Sequence, residues 1–140
     1  MGHIFTDLVV KGAKGERELK EVLIDTGATY TVLPEAVLEE IGAWGPVSEI
    51  DVELGDGRKV KARSYGVRVR IKDAEAPAIC IAFEGAQTVI GVETLESAGL
   101  KLDPTKGTLE FTRPSFKGHN TAYLYPGQYG GRRLTNRSSG

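Results

Sequence analysis

Between residues 47 and 72 apolar and polar positions alternate. Ile50, Val52 and Leu54 interleave with Asp51 and Glu53; beyond Leu54-Gly55-Asp56-Gly57-Arg58, Val60 and Ala62 interleave with Lys59, Lys61 and Arg63. A period of two belongs to a strand covered on one face, and the glycine-rich tip lets the chain reverse, so the pattern predicts one long hairpin. Further on the apolar positions become odd, with Val67, Val69 and Ile71 against Arg68, Arg70 and Lys72. A slip of one residue around Ser64-Tyr65-Gly66 predicts a bulge that bends the returning strand.

The same reading predicts strands at 4–11 and 19–25 joined by a turn from Gly12 to Gly15, a strand at 30–33, and a helix at about 34–41 that Gly42 ends. Downstream, Val89-Ile90-Gly91 precedes a short helix over 93–100 with a glycine stop, and a last strand over 107–112 follows Asp103-Pro104-Thr105. There are no internal repeats. Strands therefore dominate, with one or two short helices, and 140 residues suffice for one core without metals or disulfides.

Charge divides the chain in two. Residues 1–112 hold all 19 acids against 13 Lys and Arg, a balance of −6, whereas 113–140 hold five basic residues and no acid. The expectation is one domain over 1–112 and a basic, flexible, solvated tail over 113–140. Tyr123, Tyr125, Tyr129 and Arg132-Arg133 interleave in that tail, a composition that can bind nucleic acid, although a solvated tail explains it with less and no nucleic-acid partner is expected. The single cysteine, Cys80, sits in an apolar run and reads as a buried free thiol. With no membrane-length apolar stretch and no signal-like start, the expected setting is a reducing cytoplasm without a membrane partner. Met1-Gly2-His3-Ile4-Phe5-Thr6 matches a loose acylation pattern, but residues 4–10 read better as a strand.

The candidate chemistry lies in Asp25-Thr26-Gly27, directly after the apolar run Val22-Leu23-Ile24. A buried strand bounded by Lys20 and Glu21 would deliver the carboxylate to its end, and Gly27 lets the chain turn where a Cβ would obstruct a substrate backbone. Thr31-Val32-Leu33 then leads into Pro34 and the first helix. Peptide hydrolysis without a metal or a covalent nucleophile needs one group to take a proton from water and another to give one to the carbonyl oxygen and the leaving nitrogen. Two adjacent carboxyls sharing one proton do both. This chain offers only one such loop: Asp56 is in the hairpin tip, Asp51 and Asp73 flank polar positions, and Asp103 precedes Pro104. If the chain is a peptidase, the second Asp25 must come from a second copy, as a two-fold axis allows.

These two segments, 22–29 and 89–100, resemble the retroviral-type aspartic peptidases (retropepsins), particularly their prokaryotic relatives. The resemblance spans about residues 4–112. It implies an all-β, closed-barrel acid-protease fold and a homodimeric endopeptidase acting on peptides or proteins. It makes Asp25 catalytic in each subunit and has the Thr26 hydroxyl bond the partner's loop. Gly27 would lie against the substrate backbone, and the tip Gly55-Asp56-Gly57 would close over it as a flap. Val89 and Ile90 would line the cleft or brace the loop, while Gly91 leaves room for the crossing chain. Two neighbours of the triplet depart from relatives. Ala28 stands where pepsin-like enzymes usually carry a hydroxyl that bonds the catalytic carboxylate, and Thr29 stands where many retroviral members carry a second acid that touches substrate.

No cofactor is expected. His3 and His119 have no ligand cluster at metal spacing, and none of the 18 glycines forms a phosphate-binding pattern. Two rivals remain in view: a catalytically silent dimeric peptide-binding domain of the same fold, and a nucleic-acid-associated protein acting through its tail.

Overall fold

The computed structural model describes residues 3–112; the expectations for the tail lie outside the described residues. Among the described residues no helix is long and apolar enough to cross a membrane. Most of the described residues are in strands. In order the elements are β1 (Ile4–Lys11), β2 (Glu16–Ile24), β3 (Thr31–Val32), α1 (Glu35–Ile41), β4 (Trp44–Glu53), β5 (Lys59–Ile71), β6 (Ala74–Ala82), β7 (Val89–Ile90), α2 (Val92–Ser97), β8 (Leu100–Asp103) and β9 (Thr108–Phe111).

Seven strands form one sheet in the order β1-β2-β7-β3-β6-β5-β4. β1 also pairs with β5, Val9–Lys11 against Arg68–Arg70, so the pairings return to their start. β8 and β9 form a separate two-stranded sheet. The main core gathers Leu8 and Val10 of β1, Ile24 of β2, Leu38 and Ile41 of α1, Val69 and Ile71 of β5 and Ile90 of β7. A smaller cluster of Val32, Ala62, Ile81 and Val89, with Leu23, Ala28, Tyr30, Ile50 and Val52 packed against it, occupies the opposite face.

These two clusters explain the change of phase along β5. Its pairing with β6 runs without interruption from Arg63 opposite Ala82 to Ile71 opposite Ala74, so the expected bulge at 64–66 is not there. Ser64 and Tyr65 are both buried because they cover different faces: Ala62 belongs to the small cluster, and Tyr65 and Val67 to the main one. The register shift lies instead on β4, between Trp44 opposite Gly66 and Ser48 opposite Ser64.

α1 ends as expected, with Gly42 at φ 69°, ψ 50°, a left-handed conformation that favours glycine. The second helix is shorter than expected. It stops at Ser97; Gly99 turns at φ 71°, and Leu100, 2% exposed, opens β8 opposite Phe111. β2 begins three residues before the predicted 19, because its first half is exposed and carries no apolar alternation. Its pairing with β1 shifts between Thr6 and Leu8, which leaves one extra residue on β2. There Glu21 takes φ 50°, and its N–H donates to Asp7 Oδ1 at 3.0 Å. Cys80 is fully buried, and burial pushes its thiol well above the ordinary value, as expected of an inert core group.

Candidate active site

The loop that carries Asp25 is built by a strand inserted between its two flanks. β7 runs parallel to β2, Leu23 opposite Val89 and Ile24 opposite Ile90, and antiparallel to β3, Val32 opposite Val89. The chain leaves β2 at Ile24, loops over the end of β7, and re-enters as β3. Asp25 N–H donates to Ile90 O at 2.9 Å, which carries the ladder one residue past the strand and fixes where the carboxylate emerges. Within the loop, Gly27 N–H donates to Asp25 Oδ1 at 2.9 Å and Ala28 N–H to Asp25 O at 3.0 Å, the bonding of a tight turn around an acceptor side chain. Asp25, Thr26, Gly27 and Thr29 are exposed, and Ala28 is half-buried.

The far side of the loop is tied to the start of α2. Val92 N–H donates to Ala28 O at 2.9 Å and Glu93 N–H to Thr29 O at 2.8 Å. The first N–H groups of a helix have no partner within it, and α2 has no side-chain cap, so the loop carbonyls satisfy them. Gly91 permits this approach: a Cβ there would lie 2.5 Å from Tyr30 C and 2.9 Å from Ala28 O. The Thr31 and Thr94 side chains, both fully buried, meet at 2.5 Å between hydroxyl oxygens, and Gly91 N–H donates to Thr31 Oγ1 at 3.0 Å.

Strand alternation separates Val89 from Ile90. Paired residues share a face, so Leu23, Val89, Val32 and Ile81 form one row across β2, β7, β3 and β6. That row belongs to the small cluster on the side of Ala28 and Tyr30, whereas Ile90 is fully buried in the main core. Val89 therefore contributes to an apolar floor beside the loop, and Ile90 braces the loop from behind.

The hairpin reaches this floor through its stem, since Ile50 and Val52 pack on the small cluster. Its tip does not meet the loop within one chain. Gly57 N–H donates to Leu54 O at 2.9 Å, and Asp56 accepts from Arg58 N–H at 3.0 Å and from Arg58 Nε at 2.8 Å; methyls added at Gly55 or Gly57 would enter open space. The Arg58 backbone and side-chain donors hold the Asp56 carboxyl below its ordinary value. The stem is anchored to α1: Arg63 Nη2 donates to Glu35 Oε1 at 2.6 Å, and the Tyr65 hydroxyl donates to Glu35 Oε2. Beside this anchor is a cavity of about 460 Å³ lined by Glu35, Glu49, Lys61, Arg63 and Phe83, among others, and by no residue of the Asp25 loop.

Sequence reasoning singled out Asp25–Thr29 and Val89–Gly91, which the fold brings together. It missed Thr31, Thr94 and the Glu35–Arg63–Tyr65 anchor. The one signal for Thr31 was a hydroxyl heading the apolar run Val32-Leu33. The other aspartates are engaged or remote: Asp7 with Lys20, Asp51 with Lys61, Asp56 with Arg58, Asp103 in its own turn, and Asp73 in the turn between β5 and β6. Among the described residues no cluster of three or more His, Cys, Asp or Glu could hold a metal. No protein-family model matches the chain, and a search of curated proteins gives no match either.

Proposed function

We propose that the chain is one half of a homodimeric aspartic endopeptidase with a retropepsin-like, closed-barrel fold. The observation that carries this reading is the exposed carboxylate of Asp25, presented on a loop wrapped over an inserted strand and flanked by an apolar floor. Half-buried Leu23, Ile50 and Val52, lying over buried Val32 and Val89, offer apolar surface to peptide side chains, and the pairing of β1 with β5 supports barrel closure. With the other aspartates engaged or remote, the second carboxyl is Asp25 of an identical subunit, brought to the two-fold axis.

In that assembly one Asp25 takes a proton from water as it attacks the scissile carbonyl. The other, protonated, gives its proton to the carbonyl oxygen, and the pair returns a proton to the leaving nitrogen. Gly27 N–H, already bonded to Asp25 Oδ1, orients each carboxyl. Thr26, exposed on the loop, bonds the partner's loop, Gly27 lies against the substrate backbone, and the tip Gly55–Gly57, where added methyls would meet nothing in one chain, closes over the bound peptide.

The test is Asp25→Asn, an amide of nearly the same shape that cannot act as base. Hydrolysis of an unfolded protein substrate is lost, while circular dichroism and sedimentation match wild type. Retained hydrolysis by the purified variant overturns the assignment. Peptide binding without hydrolysis by wild type points instead to a silent binding domain.

A further inference from the structure

We propose that Thr94 is a positioning residue for the Asp25 loop, acting through the hydroxyl of Thr31; the kinetic part of this inference rests on the peptidase reading above. The loop is held at both ends by the segment Ile90–Thr94. At its start Asp25 N–H bonds Ile90 O, and at its end Gly91 N–H bonds Thr31 Oγ1 at 3.0 Å. Thr31 Oγ1 is itself located by Thr94 Oγ1, 2.5 Å away, with both side chains fully buried. Thr94 thus sets the depth at which the loop returns to β3, six residues from the carboxylate, and touches no reacting atom.

A contact this short requires a hydrogen between two oxygens. Thr94→Val puts a methyl where the hydroxyl was, and carbon-to-oxygen contacts stay near about 3.3–3.6 Å. Thr31 must then retreat by roughly 1 Å, its hydroxyl loses a partner, and the Gly91 anchor moves with it. Misplacement on that scale can lower turnover by about 100-fold.

The experiment compares Thr94→Val, Thr94→Ser and Leu95→Ala in the full chain, each measured per folded molecule. Leu95 is on the same helix and is 4% exposed in the main core, so its truncation weakens α2 without touching either hydroxyl. Thr94→Val is expected to lower kcat about 10- to 100-fold with KM within about threefold, Thr94→Ser to restore kcat to within about threefold, and Leu95→Ala to lower Tm while keeping kcat. Amide exchange reads the same point without hydrolysis: the Gly91 N–H exchanges at least about tenfold faster in Thr94→Val and normally in Thr94→Ser. Should Thr94→Val not fold, Thr94→Ala, which removes the hydroxyl without adding a clash, carries the same expectations. Unchanged kcat and Gly91 exchange without the hydroxyl, or an equal kcat loss in Leu95→Ala, overturns the proposal. An inert wild type defeats the peptidase reading alone, and the exchange result still decides the role of Thr94.

Discussion

Gly91→Ala isolates the packing that holds the Asp25 loop. Gly91 has φ −96°, ψ 174°, a conformation open to any residue, so the cost of a side chain there is steric and not conformational. The added methyl would stand 2.5 Å from Tyr30 C, 2.6 Å from Tyr30 O and 2.9 Å from Ala28 O. All three are backbone atoms, so no rotamer change relieves the overlap. Overpacking of this kind costs about 1–3 kcal/mol. Backing the loop away also stretches the bonds from Val92 N–H to Ala28 O and from Glu93 N–H to Thr29 O, each contributing roughly 1 kcal/mol. With partial relaxation the expected loss is about 2–4 kcal/mol, which lowers Tm by roughly 10–25 °C in a domain of this size. The assay is equilibrium urea unfolding with a thermal scan, alongside Gly55→Ala, whose methyl enters open space and should change stability by less than about 0.5 kcal/mol. If Gly91→Ala is as stable as Gly55→Ala, the loop is not held against Gly91 as described.

Two further substitutions test the surroundings of the site. Glu21 at φ 50° bears a left-handed cost of about 1–2 kcal/mol that glycine avoids, less the greater unfolded freedom of glycine, so Glu21→Gly should gain about 0.5–1 kcal/mol in urea unfolding; a loss would show that the Glu21 side chain outweighs its backbone strain. At the hairpin stem, the Tyr65 hydroxyl, with help from Arg63 and against burial, holds the Glu35 carboxyl below its ordinary value of 4.5. A depressed carboxylate contributes stability in full above its unfolded value and loses it as pH falls through the folded value. The stability gap between wild type and Glu35→Gln should therefore narrow on acidification below 4.5, and a gap constant across that range would refute the anchor.

Where one residue type dictates a conformation, the sequence was legible. Gly42 stopped α1, the Gly55-Asp56-Gly57 tip turned the hairpin, and Val22-Leu23-Ile24 delivered Asp25 to the end of a strand. Where long-range packing decided, it was not. The phase change at Ser64-Tyr65 is the trace of two clusters on opposite faces of one continuous strand, and local periodicity cannot distinguish that from a bulge. The Thr31–Thr94 contact joins residues 63 apart, and Glu35 meets Tyr65 across 30. Thr94 gave no advance sign, because a threonine in a short helix is equally compatible with solvent. Val89 and Ile90 could be assigned to a pair of roles but not to one each until the pairing with Leu23 and Ile24 set their faces.

Mixing subunits decides whether each chain carries half of a catalytic site. Wild type and Asp25→Asn are combined in equal amounts at fixed total concentration, unfolded and refolded together so that subunits redistribute, and assayed on an unfolded protein substrate. If hydrolysis needs Asp25 from both subunits, only pairs of two wild-type chains work, and activity falls to about one quarter of the wild-type value at the same total concentration. Further dilution with the variant should follow the square of the wild-type fraction. A linear fall, with about one half remaining in the equal mixture, would mean that each chain acts alone and that Asp25 needs no partner from a second subunit.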